Sequence, residues 1–356
     1  MIHGETWIQE SDEPHRSAGR TQGRCCVALL TGRQLYYRSK RLCRWRLGDM
    51  VKSIGIIGMS EGNGHPFSYS SIINGYSPEG LAASGWTGIY EYVRRRHASE
   101  FGLGDWKVTH AWSQEPESTK KLCAACRIPN NVGDYREFLG NVNAVIIARD
   151  DYETHFEMAK VFLEAGLPVF VDKPLGLEIS ELRFYKPYLE SGQLMSCSGM
   201  RYARELDEPR ADLAAYGKLK LIRGAIVLIW EKYGVHLLDA TLGVTSAHPV
   251  SVRMLPAEHA SAVVRLDDGV LLQIDSLGES ARTFRLEFFG TQRIGSFDIT
   301  DNFSMFRRTL WEFTESIRTG RPAIPSERTL ESMRVLIAGR MARNENREVL
   351  LSELPL

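Results

Sequence analysis

An apolar run, Val169-Phe170-Val171, stops abruptly at Asp172-Lys173-Pro174-Leu175-Gly176. A stretch that is apolar at every position reads as a strand buried on both faces, which belongs to parallel sheets covered by helices. The C-terminal ends of such strands are where α/β sheets place ligands. A lysine held between an acid and a rigid proline is a poor core residue and a plausible proton donor. This one stretch directs the chain towards an α/β fold with a site at the sheet edge.

The rest of the first half agrees. Ser53-Ile54-Gly55-Ile56-Ile57-Gly58 is a strand running into glycine, and Asn143 to Ala148 is a second buried strand. Lys107 to Trp112 reads as another. Pro66 suits the first turn of a helix running through Ile72 and Ile73. A further helix is expected over Thr87 to Phe101, with Tyr90, Val93, His97 and Phe101 on one face. Thr154 to Ala165 is a helix stopped by Gly166. Strands alternating with helices imply a parallel sheet with helices on both faces.

After Gly176 the texture changes. A helix over Ser180–Glu190 and a strand at Leu194–Ser198 come first. Longer strands follow at Leu219–Leu228, Ala260–Leu266, Val270–Ile274 and Phe284–Phe289, with a hairpin turn at Asp267-Asp268-Gly269. Two helices close the chain, near Phe303–Arg318 and Ser326–Ala342. The expected division is an irregular extension over 1–49, a dinucleotide-binding domain over 50–175 with a helical insertion near 65–105, and an α+β domain over 176–356 built on a mainly antiparallel sheet.

Charge and composition bound the partners. The chain of 356 residues has a formal net charge of zero, which argues against bulk attraction to nucleic acid or an anionic membrane. No apolar run approaches the roughly 18 residues that a spanning helix needs. Residues 1–49 carry a formal +4 and three of the six cysteines. They lack any sustained period, so they are expected to lie outside the fold, with Met50 as the natural start. Cys123-Ala124-Ala125-Cys126 has no second pair to complete a zinc site, so it reads as two buried or helical thiols, and no metal is expected. Thiols without a disulfide framework fit a reducing cytoplasm.

Three loops carry the candidate chemistry. Gly58-Met59-Ser60-Glu61-Gly62-Asn63-Gly64-His65 follows the first strand, where glycines let backbone N–H groups approach a pyrophosphate. The usual spacing is G-x-G-x-x-G. Gly58 fits its first position, Ser60 and Asn63 replace the next two, and Gly62 and Gly64 sit beside them. A glycine-rich turn without a ligand is the competing reading. Ser113, Gln114 and Glu115 end the second strand, and none decides between NAD and NADP. Arg149 and His155 lie in the loop after the strand at Asn143. At the fourth strand, a Lys173 facing an oxidised nicotinamide would suit proton exchange with a substrate oxygen. Further on, Lys232-Tyr233-Gly234-Val235-His236-Leu237-Leu238-Asp239 places His236 and Asp239 three apart on a helix, where they share a face. Asp239 is expected to orient His236, with Lys232 on the same side.

Together these segments resemble the glucose–fructose oxidoreductase / inositol dehydrogenase / MocA family over about residues 52–353. Asp172-Lys173-Pro174 is similar to that family's E-K-P step, and Leu163 to Pro174 matches the stretch leading to it. His155 falls at a recurrent family histidine. Gly234, His236 and Asp239 match its D-x-G-x-H-x-x-D signature, with Lys232 in place of the leading Asp. Ser198-Gly199-Met200-Arg201-Tyr202 is similar to a segment that brings a basic residue to the substrate.

The resemblance implies an oxidoreductase that passes hydride between NAD or NADP and a sugar or nucleotide sugar. Catalytic roles fall to Lys173, His236, Asp239 and Lys232. Gly58, Ser60, Gly62, Asn63, Gly64, His65, Arg149, His155, Asp172 and Pro174 would hold the cofactor. Arg201, Tyr202 and Tyr233 would hold the substrate. A homo-oligomer, dimer or tetramer, is expected through the second sheet. A cofactor-binding regulator of the same fold is the alternative.

Overall fold

The computed structural model describes residues 51–356, so the expectations for residues 1–49 lie outside the described residues. Six strands form one sheet: β1 (Lys52–Ile57), β2 (Trp106–Trp112), β3 (Asn130–Asn131), β4 (Ala144–Ile147), β5 (Val169–Val171) and β6 (Leu194–Ser196). Their order is β3-β2-β1-β4-β5-β6 and every pairing is parallel. Every residue of β4, β5 and β6 is buried, as all-apolar strands in a covered sheet must be. This is the doubly wound order in which the sequence of strands switches direction between β1 and β4, leaving a crevice at their C-terminal ends.

Helices α1 (His65–Asn74), α4 (Pro116–Cys126), α5 (His155–Glu164) and α6 (Ile179–Glu190) belong to this part. Two short helices, α2 (Pro78–Ala82) and α3 (Thr87–Val93), lie between α1 and β2. The helix expected over Thr87–Phe101 ends at Val93. Beyond it the His97 ring accepts the Ser99 N–H while Glu100 accepts the His97 N–H, and this cap starts a separate turn at Ala98–Glu100. Local capping thus wins over the apolar spacing, and His97 is exposed. Cys123 and Cys126 lie on α4, where burial pushes their thiols up to about 11 and about 12.

The parallel sheet does not stop at residue 175. Its sixth strand, β6, comes after α6, so the change of sheet falls beyond Ser196. A short helix, α7 (Asp207–Ala211), leads to a seven-stranded sheet of β7 (Leu219–Ile226), β8 (Pro249–Leu255), β9 (Ala260–Leu266), β10 (Leu271–Ser276), β11 (Phe284–Gly290), β12 (Ile294–Asp298) and β13 (Val349–Leu350). Its order is β12-β11-β7-β10-β9-β8-β13, and only β7 and β10 run parallel. The mainly antiparallel expectation therefore holds. β8, β12 and β13 were not foreseen: β8 opens on proline and β12 carries Gly295, which weaken a strand signal, and β13 is only two residues long.

Helices α8 (Val235–Leu242), α9 (Asn302–Thr319) and α10 (Ser326–Glu345) complete the fold. α8 lies so close to β7 that a Cβ on Gly224 would come within 2.7 Å of Leu237 Cδ1. α9 returns to the first sheet: Phe313 packs 5.8 Å from Phe170, and Phe306 packs 5.2 Å from Tyr69, between ring centroids. A π-helical turn, Trp230–Gly234, feeds directly into α8. Trp230 pins that turn. It is buried, its Nε1–H donates to Leu336 O at 3.1 Å, and Gly339 leaves room for its ring. Trp230→Ala should cost about 3–5 kcal/mol of stability, read as a lowered midpoint in urea unfolding.

Candidate active site

Asp172 is the centre of the first half of the site. It ends β5 and is almost fully buried. Its carboxylate receives donors from three parts of the chain. His65 Nδ1 lies 2.5 Å from Oδ2, and Asn63 Nδ2 donates to the same oxygen at 3.3 Å. The Tyr69 hydroxyl and the Lys173 N–H donate to Oδ1 at 3.4 and 2.9 Å. Burial alone would raise this carboxyl. The His65 imidazole and Lys173 beside it outweigh burial and hold it well below the usual carboxylate range.

The same contacts shape the glycine loop. The Asn63 side-chain oxygen accepts the His65 N–H at 2.8 Å, and Pro66 brings no N–H, so the chain itself caps the start of α1. Among the described residues, the N–H groups of Gly62 and Gly64 remain without a hydrogen bond. Gly62 has φ +73°, the left-handed region that suits glycine. A Cβ on Gly58 would meet Pro66 at 2.5 Å, so this position needs a bare backbone for α1 to approach β1. Ser60 O–H donates to Asp150 at 2.6 Å and accepts the Asp150 N–H, which joins the loops after β1 and β4. Open N–H groups at the strand reversal fit the pyrophosphate of a dinucleotide. These departures leave fewer helix-end donors than the usual spacing would.

Arg149 and His155 act within the protein. Arg149 is buried and paired with Asp151 at 2.5 Å, and it also donates to Gln114 at 2.7 Å. Gln114 in turn holds both backbone groups of Met59. The His155 nitrogens face the carbonyls of Arg149 and Leu175 at 3.1 and 3.3 Å. Its ring is sealed from solvent and burial lowers its pKa, so it ties two loops together. Pro174 is buried in the turn that carries Lys173, next to the Leu175 whose carbonyl faces His155.

Lys173 is only 3% exposed, yet among the described residues its ammonium has no carboxylate within 4 Å and no hydrogen-bond acceptor. Its neighbour is the Tyr233 ring, whose centroid lies 5.2 Å from Nζ. Its charge acts on the neighbouring Asp172 carboxylate but makes no direct ion pair, and buried groups left so are chiefly found at functional sites. The His236 ring lies 5.2 Å from that same tyrosine ring. Burial, then the charges of Lys173 and His65, push the His236 imidazole well below its ordinary pKa. Lys173, Tyr233 and His236 thus form one cluster, with His65 and Asp172 facing it.

Asp239 does not orient His236 directly. Its oxygens accept the Ser198 N–H and the Ser332 O–H, each at 2.6 Å, and burial raises its pKa. The group on His236 is Ser198, whose Oγ lies 2.6 Å from Nδ1. Lys232 makes no hydrogen bond or ion pair with any described residue, and its charge does not act on His236. It is half-buried in the π turn that precedes α8. Arg201 is buried along Gly243 and reaches the Leu242 carbonyl at 3.5 Å, at the far end of α8 from His236. Tyr202 is half-buried beside it, and burial raises its hydroxyl.

Sequence reasoning did not single out Ser198, Ser332, Tyr69 or Asp150. Tyr69 was detectable as the helical i+4 neighbour of His65. The two serines had no such signal, because their partners lie far along the chain.

Comparison with known proteins bears on the fold and the cofactor class. Residues 87–195 match the family model described as an oxidoreductase family with NAD-binding Rossmann fold, the glucose–fructose oxidoreductase / inositol dehydrogenase / MocA group. The resemblance read from the sequence is borne out over that stretch, and with it the cofactor class, NAD or NADP. No curated protein sequence matches the chain at a significant level. Solved structures share the fold at low identity. Scyllo-inositol dehydrogenase from Lactobacillus casei, with bound NAD(H) and scyllo-inositol, is 16% identical with a TM-score of 0.66, covering 85% of this chain and 99% of that one. Myo-inositol 2-dehydrogenase from Lactobacillus plantarum is 16% identical with a TM-score of 0.67, covering 84% and 99%. An oxidoreductase from Agrobacterium radiobacter, in complex with NAD+, L-tartaric acid and magnesium, is 13% identical with a TM-score of 0.65, covering 86% and 100%.

The Asp172 carboxylate makes a pH prediction. Its folded pKa is depressed, so its stabilisation is present above the unfolded value of about 4 and is lost as pH falls below it. Asp172→Asn should cost about 1.5–3 kcal/mol at neutral pH. In urea unfolding, the gap between wild type and variant should close as the pH is lowered from about 4.

Proposed function

We propose that this relative of the glucose–fructose oxidoreductase / inositol dehydrogenase / MocA oxidoreductases is an NAD(P)-dependent dehydrogenase or ketoreductase. Its substrate is a sugar or sugar derivative bearing a reactive CH–OH or carbonyl group. One observation carries the reading: a buried, unpaired Lys173 and a neutral His236 meet around one tyrosine ring, at the C-terminal edge of a parallel sheet.

The cofactor supplies or accepts the hydride. Gly58, Ser60, Gly62, Asn63, Gly64 and His65 would hold its phosphates, with Asp172 keeping that loop in place. Lys173 and His236 hold the substrate oxygen between them, and one of them moves its proton. Tyr233 walls the substrate, while Arg201 sits further along α8. A non-catalytic regulator would not need a buried lysine that makes no direct ion pair or hydrogen bond, so the enzyme reading stands above it.

No described helix is long and apolar enough to cross a membrane. The outward face of the second sheet carries Leu221, Val263, Leu271 and Phe289, with buried residues alternating on its other side. We propose that this face pairs with a second copy. Light scattering should give the mass of a dimer or tetramer, and a monomer would overturn the pairing.

Screening free sugars, inositols and nucleotide sugars with NAD(H) and NADP(H) at the nicotinamide absorbance tests the activity. Turnover is expected with at least one of them. Tight cofactor binding with no turnover across the panel would favour the regulator. With a working substrate, Lys173→Ala should lower kcat by about 10²–10⁴-fold while cofactor affinity persists. Unchanged turnover would remove Lys173 from the chemistry.

A further inference from the structure

Ser198 has a place in the site that neither its sequence position nor the family signature assigns. It is fully buried, at the start of the turn that follows β6. Its Oγ accepts the Met200 N–H at 3.1 Å and lies 2.6 Å from His236 Nδ1. The hydroxyl hydrogen still needs an acceptor. Among the described residues, only His236 Nδ1 is within reach. A buried hydroxyl satisfies both capacities when it can, so the Ser198 O–H donates to Nδ1. The ring proton is then on Nε2, which has no protein partner among the described residues.

The backbone of Ser198 is fixed just as firmly. Its N–H donates to Asp239 Oδ2 at 2.6 Å, and Asp239 Oδ1 accepts the Ser332 hydroxyl at 2.6 Å. Asp239 therefore reaches His236 only through Ser198. The expected carboxylate four residues before the histidine is Lys232, and it does not touch the ring.

We propose that Ser198 is a positioning residue that holds His236 as a neutral, Nε2–H tautomer, so that His236 donates a hydrogen bond to the substrate oxygen and Lys173 alone exchanges the proton. The proposal rests on the dehydrogenase reading for its substrate, but not for the tautomer. A neutral imidazole that donates through Nε2 polarises a carbonyl or steadies an alkoxide without changing its own protonation. When the alcohol is oxidised, its O–H proton passes to the Lys173 amine while its C–H bond breaks and the hydride would go to a bound nicotinamide, leaving a carbonyl and a Lys173 ammonium. In the reverse direction the Lys173 ammonium returns it to the carbonyl oxygen.

The surroundings favour the neutral ring. Lys173 and His65 face it from the end of β5 and from α1, and both oppose a second positive charge. Asp172, the one acid acting on it, is already engaged by four donors. Tyr233 and Phe284 pack on the ring at 5.2 and 6.4 Å and bring no charge to it. A serine beside Nδ1 withholds the anionic support that a carboxylate would give an imidazolium.

Nitrogen-15 NMR of histidine-labelled protein tests this without turnover, with the signal assigned by its loss in His236→Gln. The expected result is a neutral Nε2–H ring that does not titrate between pH 6 and 8, where a free imidazole would. Ser198→Asp should move the ring proton to Nδ1 and bring its titration into that window. Ser198→Ala should lower kcat about tenfold to hundredfold with cofactor affinity unchanged, and Ser198→Thr should recover most of the loss. A wild-type ring that is Nδ1–H, or that becomes imidazolium in that window, overturns the proposal. Failure of every sugar to turn over would instead count against the dehydrogenase reading, because the tautomer is read independently.

Discussion

The carboxylate of Asp172 is the contact on which the rest of this site depends. It is buried at the end of β5 and takes donors from the glycine loop, from α1 and from its own turn. A buried carboxylate stays ionised only when such donors replace the water it has lost. Those donors therefore cannot drift, and the loop that would receive a dinucleotide is fixed relative to Lys173. One buried carboxylate thus holds both the glycine loop and the turn that carries Lys173.

The second half of the site has the opposite electrostatic character. His236 sits among apolar neighbours and near positive charge, and it is kept neutral. Asp239 is buried and satisfied by a backbone N–H and a hydroxyl, so it braces the histidine's support without touching its ring. The contrast separates two roles. Lys173 is buried with no direct ion pair or hydrogen bond at its amine, whereas the surroundings of His236 favour its neutral form.

Much of the fold could be read in advance. All-apolar runs at Ile54, Val145 and Val169 imply a parallel sheet, because only a sheet covered on both faces buries every residue of a strand. The glycines at 58, 62 and 64 and the acid–lysine–proline step marked its functional edge. The insertion's helices were harder, since a local cap at His97 interrupts a spacing that otherwise suits one long helix. The extent of the first sheet was also hidden. A three-residue strand at Leu194 looks the same whichever sheet it joins.

Within the site, sequence spacing spoke to neighbours and was silent on partners. It singled out Lys173, His236 and the glycine loop, because short-range chemistry and strand ends leave local traces. It could not show that the segment carrying Lys232 is a π turn, since that turn is held by Trp230 packing against Leu336 and Gly339, far along the chain. Nor could it show that Ser198 rather than Asp239 meets the histidine, a contact between residues 38 apart. The sequence by itself determined the layered α/β architecture and the edge where chemistry occurs, through apolar periodicity and glycine placement. Only the tertiary structure decided which side chains share a proton or a charge, because those contacts depend on how distant segments pack.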